Sequence, residues 1–256
     1  MKMKALATCN SEGWTKMNTV DELMTLDKPI VMGPRHHPVP HATALEQFEA
    51  SLQHAGYAYK NQTGLLSPDG MRYIYVTEVM PNIEDALNVF DDMAFCVGFL
   101  NYNNKQKAFT GIYGEHVFVC SNQCFQYGGE VTRRHIGNIE EVLNDKIDAI
   151  IGNIDTYFGK RTNEIKILQN TAVTDEMLGG LVRDMVDSNV YPNNFIVNTI
   201  KEFNHPTFTY NTDGGTTWDL LQAGTHVVKN YKNPLRRNDI AMNYNNQIKM
   251  FVPEQV

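Results

Sequence analysis

The sequence predicts an α+β fold with an N-terminal helix, a central antiparallel β-meander of four or five strands, and C-terminal helices packed on the sheet. Two observations support this prediction. Short aromatic and β-branched runs separated by turn residues occupy the middle of the chain up to about residue 132. From Ile139 onward, the apolar residues instead follow the 3.6-residue spacing of helices. A helix, then a meander, then helices is the element order typical of α+β proteins.

The N-terminal part divides near residue 40. Residues 1–40 are predicted to be an irregular lead-in, because their prolines interrupt any regular element. A helix is expected from near His41 to about His54, with Gly56 ending it. Residues 41–256 are predicted to form a single domain, since no internal repeat and no Gly/Ser linker divides them.

The predicted meander begins with a hairpin. Residues 57–59 and 71–76 are strand-like, and Ser67-Pro68-Asp69-Gly70 between them is a strong turn signal. Further strands are predicted at 94–100, 109–112, 116–120 and 130–132. Gly111 and Gly114 indicate a bend or bulge between residues 109 and 120.

A helical apolar stripe follows the meander, starting after a possible Asn138 cap and ending at Gly159. We expect its members to be buried against the sheet. They are Val142, Ile147, Ile150, Ile151 and Ile154. Three more helices are predicted, at 174–185, 193–203 and 217–231.

Composition limits the classes of function. The formal net charge is −7, which argues against a broadly basic nucleic-acid-binding protein but leaves room for a local basic stripe. No run of about 18 apolar residues predicts a membrane span, and no apolar segment near the N-terminus resembles a secretory signal. We therefore expect a cytoplasmic protein, in the host cell if a phage encodes it, with four reduced cysteines.

Three groups of residues could carry metal chemistry, and each is incomplete. Cys120 and Cys124, with His116 or His135, supply only half of a convincing zinc site. The histidine-rich run at 35–41 contains several prolines and has no adjacent carboxylate, so we expect a solvated turn. The acidic set lacks the partner residues of a metal nuclease. Its members are Glu84, Asp85, Asp91 and Asp92. The sequence thus predicts no catalytic centre, no metal and no cofactor.

A basic and amide group is the best candidate for binding. It lies at the ends and turns of the predicted strands and should form one positive face that contacts phosphates. Its members are Asn101, Lys105, Lys107, Arg133, Arg134 and His135. Aromatic residues are interleaved with this group, and they either stack on nucleobases or face the core. These are Tyr102, Phe109, Phe125 and Tyr127.

Residues 99–105 contain a turn with a downstream lysine, and residues 114–125 contain a Val-Phe-Val-Cys strand. This combination, in this order, resembles the signature of the DUF932 family, which has a turn with a downstream lysine and then a Val-Phe-Val-Cys-Asn strand. Residues 134–139 and 217–225 resemble later family segments, and the likeness covers roughly residues 41–237. The sequence departs from the family turn Arg-Asn-Ser, since it has Asn101-Tyr102-Asn103 there. It also has Gln222 and Gly224 where the family tends to have Asn and Val.

The resemblance implies a protein of phages, plasmids and other mobile genetic elements, with no defined chemistry. Its element order is also loosely similar to Rad52-like single-strand annealing proteins, at the level of fold alone. The leading hypothesis is a homo-oligomeric protein that binds single-stranded DNA, with annealing or recombination as its expected role. The alternative is an antirestriction-like inhibitor of a host defence protein that acts by protein–protein contact. A nuclease or zinc enzyme ranks third.

Overall fold

A six-stranded antiparallel sheet, with its strands in sequence order, forms the centre of this computed structural model. The strands are β1 (Thr15–Lys16), β2 (Tyr59–Leu66), β3 (Arg72–Val79), β4 (Met93–Tyr102), β5 (Phe109–Val117) and β6 (Asn122–Arg133). The structure describes residues 13–80, 93–117, 122–136, 139–208 and 214–251, without the side chains of Met93, 116–117, 122–133, 139–141 and Pro234. The five longer strands confirm the predicted meander.

Local signals in the sequence set the turns of this meander. Between β2 and β3, the Ser67 N–H donates to the Arg72 carbonyl (2.9 Å), and Gly70 has a positive φ of 65°. The register of β5 against β6 shifts between Thr110 and Ile112, which places a bulge at Gly111 as predicted. The β6 strand extends from Asn122 to Arg133, so it is much longer than the predicted strand at 130–132.

Eight helices lie in the described ranges. They are α1 (Val20–Met24), α2 (His41–His54), α3 (Ile139–Gly152), α4 (Ile154–Asn170), α5 (Asp175–Asp187), α6 (Asn193–Asn204), α7 (Thr217–Val228) and α8 (Pro234–Lys249). Strands and helices occupy separate stretches of the chain, which confirms the α+β class. None of these described helices is both long and apolar enough to cross a membrane.

Two helix boundaries differ from the sequence prediction. Gly159 does not end a helix, because α4 continues to Asn170 and buries Phe158, Arg161 and Ile165. That burial outweighs the helix penalty of about 1 kcal/mol for an interior glycine. The final helix α8 was not predicted, although Asn233 caps its N-terminus by accepting from the Leu235 and Arg236 N–H groups, with Pro234 in the first turn.

The lead-in also contains regular structure. Thr19 and Glu22 form a capping box that starts α1, since each side chain accepts a backbone N–H of the other residue. The two-residue strand β1 extends the sheet beside β2. Local capping thus produces short elements where the prolines suggested none.

The main core lies between the helices and one face of the sheet. Alternate strand residues such as Tyr73, Tyr75 and Phe99 are fully buried on that face. In α3, Leu143, Ile147, Ile150 and Ile151 are buried, as is Ile154 at the start of α4, whereas Val142 is half-buried. The predicted stripe is therefore confirmed apart from Val142. A second, smaller cluster on the opposite face contains Ile74, Val76, Cys96, Leu100, Tyr102 and Ile112.

Candidate polyanion-binding cleft

A cleft of about 780 Å³ lies where three distant parts of the chain meet. Its walls are residues 32–36 of the lead-in, residues 105–108 of the turn between β4 and β5, and residues 134–136 just after β6. The antiparallel order explains two of these walls, because the start of β5 and the end of β6 pair at one edge of the meander, with Phe109 opposite Arg133. The lead-in supplies the third wall.

Backbone hydrogen bonds hold the lead-in against the end of β6. The His36 N–H donates to the Gly33 carbonyl (3.0 Å) and closes a turn, in which Gly33 has a positive φ of 142°. The His37 N–H then donates to the His135 carbonyl (3.0 Å), and an isolated β-bridge joins His36 to Ile136. This pairing brings the two buried imidazoles to one cleft.

Two buried asparagines anchor the segment that follows. Asn103 accepts the Val39 N–H (3.0 Å), and both Asn101 and Asn103 donate from Nδ2 to the Val39 carbonyl (2.9 and 2.8 Å). Asn101 also donates to Nδ1 of His41 (2.9 Å), whose Nε2 donates to the Gly70 carbonyl (3.1 Å). Because its side chain is fully buried, Asn101 supports the cleft and does not line it, contrary to the direct contact expected from sequence.

Four cations line the cleft, and the twelve described residues of its lining include no carboxylate. Arg35 and Arg134 are exposed, and within the described part of the chain neither guanidinium has an ion-pair partner. Lys105, with a positive φ of 64°, donates from Nζ to the Met32 carbonyl and so links two walls. Lys107 Nζ lies 2.7 Å from Oδ1 of Asp239 on α8, so its charge is partly compensated.

Two histidines form the inner part of the cleft. His36 and His135 are only 3% and 4% exposed, and their ring centroids lie 6.3 Å apart. Burial lowers the pKa of His135 to about 4, with the neighbouring His36 and His41 acting in the same direction. Burial and the nearby Lys105 also lower the pKa of His36. Both rings are therefore held neutral, and the prediction of a solvated turn is wrong for His36.

His41 is also buried, at 5% exposure, but its two ring nitrogens are hydrogen-bonded. Burial lowers its pKa to about 4, although the bond to the Gly70 carbonyl opposes the shift. The solvated-turn prediction is therefore wrong for His41 as well. This residue is part of the scaffold behind the cleft.

The structure brings most of the predicted binding residues together. Lys105, Lys107, Arg134 and His135 all line the cleft, whereas the Arg133 side chain lies outside the described residues. Sequence reasoning missed Arg35 and His36 as members of the site. Their signal was present in the histidine-rich run, but the local sequence does not show that this run returns to the end of β6.

The interleaved aromatics give a different outcome. Tyr102 and Phe109 are 1% and 0% exposed, so these two face the interior and cannot stack on a base. The side chains of Phe125 and Tyr127 lie outside the description. Exposed apolar surface at the cleft comes instead from Met32 and Ile136, which are 48% and 47% exposed.

The described residues contain no group of three His, Cys, Asp or Glu side chains that could hold a metal ion. Cys96 is a buried free thiol, and burial raises its pKa well above the ordinary value. Cys120, the Cys124 side chain and the acidic set at 84–92 lie outside the description. The metal predictions made for them therefore remain predictions.

The fold and the cleft define an α+β meander protein with a cationic recess built on the β4–β5 turn. A family model described as domain of unknown function DUF932 matches residues 30–249. The chain therefore belongs to the DUF932 family. No curated protein matches the chain, and no solved structure matches it either. The loose similarity to Rad52-like annealing proteins thus remains an expectation from sequence.

Proposed function

We propose that this protein binds single-stranded DNA through phosphate contacts in the cleft and acts in the DNA metabolism of a mobile genetic element. The observation that carries this proposal is that the charge of the cleft lining is opposite in sign to the net charge of the chain. The whole chain has a formal charge of −7, yet the described residues that line the cleft include four Lys and Arg residues and no acidic residue. Such a local concentration of positive charge favours a polyanionic ligand.

The size of the cleft supports a single strand as that ligand. Its volume of about 780 Å³ lies in the range of roughly 300–1,000 Å³ that is typical of sites for small molecules. A few nucleotides fit such a recess, whereas a duplex presents two backbones around a stacked core. The exposed apolar atoms of Met32 and Ile136 would contact bases, and the arginines and lysines would contact phosphates.

The cations have unequal roles in this proposal. Arg35 and Arg134 are exposed and have no ion pair in the described part of the chain, so their charges are available to phosphates. Lys105 also holds the Met32 carbonyl, and Lys107 is shared with Asp239. Replacement of Arg35 or Arg134 therefore tests binding with the least disturbance of the structure.

The test is a fluorescence-anisotropy titration of labelled single-stranded DNA over a range of salt concentrations. Arg134→Glu and Arg35→Glu should each weaken binding to all sequences alike, and Arg134→Ala should lower the salt slope by about one. Arg183→Glu is the matched control, because Arg183 is exposed on α5, does not line the cleft, and undergoes the same change of charge.

Equal loss of affinity in Arg134→Glu and Arg183→Glu would show a nonspecific effect of net charge and contradict the proposal. If the wild-type protein does not bind at low salt, the proposal fails outright. That second result would favour the alternative expected from sequence, an inhibitor of a host defence protein.

A further inference from the structure

We propose that His36 and His135 form a subsite for the terminal phosphate group of a DNA strand. This inference rests on the proposed function, since it names the part of the strand that enters the deepest region of the cleft. His36 comes from the lead-in, and His135 comes from the segment just after β6. The β-bridge between His36 and Ile136 holds these two segments together, and the two ring centroids lie 6.3 Å apart.

The first argument is the hydrogen-bonding state of the two rings. Nδ1 of His36 accepts the Met32 N–H (3.0 Å), so the proton of the neutral ring lies on Nε2. That Nε2 and both ring nitrogens of His135 are buried, and they have no hydrogen-bond partner within the described part of the chain. A buried polar group without a partner is costly, so these atoms favour a ligand that supplies oxygen acceptors.

The charges that surround the pair favour an anion over a metal cation. Arg35, Lys105 and Arg134 line the same cleft, and Lys107 stands further along the turn. His37 lies beside His36, and His41 faces His135 from the start of α2. Among the described lining residues of the cleft there is no carboxylate. A divalent metal would meet repulsion from these cations, whereas a phosphate oxygen accepts hydrogen bonds from both imidazoles and attracts the arginines.

The burial of the pair favours a terminal phosphate over an internal phosphodiester. The imidazoles are 3% and 4% exposed, so a ligand must project a group inward to reach them. A terminal phosphate has one ester substituent and three free oxygens. An internal phosphodiester has two substituents that both continue along the strand, which keeps it near the rim where Arg35 and Arg134 are exposed.

Protonation should couple to this binding. In the free protein, burial lowers the pKa of both imidazoles, and the nearby Lys105 acts in the same direction on His36. A dianionic phosphate beside them would stabilise the imidazolium form and raise both pKa values. By linkage, binding of the phosphorylated end should tighten as the pH falls from 8 to 6, because the bound state then takes up a proton.

The experiment compares three labelled oligonucleotides of one sequence, which carry a 5′-phosphate, a 3′-phosphate or only hydroxyl ends. Wild-type protein at pH 6 should bind one phosphorylated form about tenfold more tightly than the hydroxyl form, the effect of about one charge-assisted hydrogen bond. This preference should be smaller at pH 8. His135→Leu should abolish the preference for the phosphorylated end, because the buried imidazole would no longer donate to the phosphate.

His54→Leu serves as the matched control, because His54 is exposed at the end of α2 and does not line the cleft. Its preference for the phosphorylated end should equal that of the wild type. His36→Gln, a second variant, should reduce the preference if His135→Leu fails to fold. Equal affinity of wild-type protein for all three oligonucleotides would overturn the terminal-phosphate subsite and leave the proposed DNA binding intact.

Inorganic phosphate separates the remaining outcomes. The ring signals of His135 should shift in an NMR titration of the wild-type protein with inorganic phosphate. This measurement tests the subsite independently of DNA binding. If phosphate shifts the rings but the oligonucleotides show no preference, the subsite accepts free phosphate and the strand-end inference is wrong. If no oligonucleotide binds and phosphate leaves the rings unchanged, the proposed function and the subsite both fail.

Discussion

Arg161 Nη2 lies 2.5 Å from Oε1 of Glu115, and each side chain is only 1% exposed. Arg161 Nε also donates to this oxygen (2.6 Å), and Nη2 donates to Oδ1 of Asn245 on α8 (3.0 Å). Burial opposes the charged form of Arg161, but Glu115, Tyr157 and Glu164 together more than offset it and raise the pKa of the guanidinium. This ion pair joins α4 and α8 to the middle of β5.

Replacement of Arg161 by Met should lower the free energy of unfolding by about 3–5 kcal/mol, because the Glu115 carboxylate would remain buried without its cation. Urea denaturation followed by circular dichroism measures the loss. The double variant Arg161→Met with Glu115→Met should recover most of it, since a well-packed apolar pair often replaces a buried ion pair without cost. Equal stability of the single and double variants would contradict this explanation.

Ile150 should be a major contributor to the contact between α3 and the sheet. It is fully buried, and a Cβ placed on Gly111 of the β5 bulge would lie 2.5 Å from its Cγ1, which shows how closely the side chain covers the strand. Ile150→Ala should cost about 2–5 kcal/mol in unfolding free energy. Val142→Ala on the same helix is the control. Because Val142 is half-buried, a loss as large as that of Ile150→Ala would argue against the described packing.

Stability should fall as the pH drops below about 6.5, the ordinary pKa of histidine. Burial lowers the pKa of His41 and that of His135 to about 4 in the folded state. Between these values the unfolded chain binds more protons, so the free energy of unfolding decreases toward pH 4. Each group accounts for about 3 kcal/mol over the full window. Urea midpoints at pH 7.5, 6 and 5 measure the trend.

His41→Leu should flatten this dependence on pH, whereas His54→Leu should leave it unchanged, because His54 is exposed at the end of α2. A constant urea midpoint from pH 7.5 to 5 in the wild-type protein would show that neither buried imidazole resists protonation as described.

Much of the fold follows from local sequence signals. The Ser67 to Gly70 turn, the bulge at Gly111 and the Thr174 cap of α5 each depend on residues within a few positions. The apolar period after Ile139 placed the residues that are now seen buried against the sheet. Such short-range patterns predict the backbone conformation of a turn and the face of a helix that is buried, and both can be read from neighbouring residues in the sequence.

The missed features depend on contacts between distant segments. Gly159 is a plausible helix end by local propensity, and only the burial of Arg161 and Ile165 explains why α4 continues. The basic residues at 105, 107 and 134 were recognisable as a group, because adjacent strand ends bring them together. Arg35 and His36 were not, since their place in the cleft depends on the pairing of His37 with His135.

Under the proposed function, the lead-in residues that would contact the ligand are different from the residue that anchors the lead-in to the sheet. Residues 32–36 form one wall of the cleft, while Val39 just beyond them is held by Asn101 at the end of β4 and by Asn103 in the β4–β5 turn. The anchor and the wall are thus neighbouring but distinct stretches of chain. Under the proposed function, substitutions within residues 32–36 should therefore change the ligand that the cleft accepts and leave the strand register behind it unchanged.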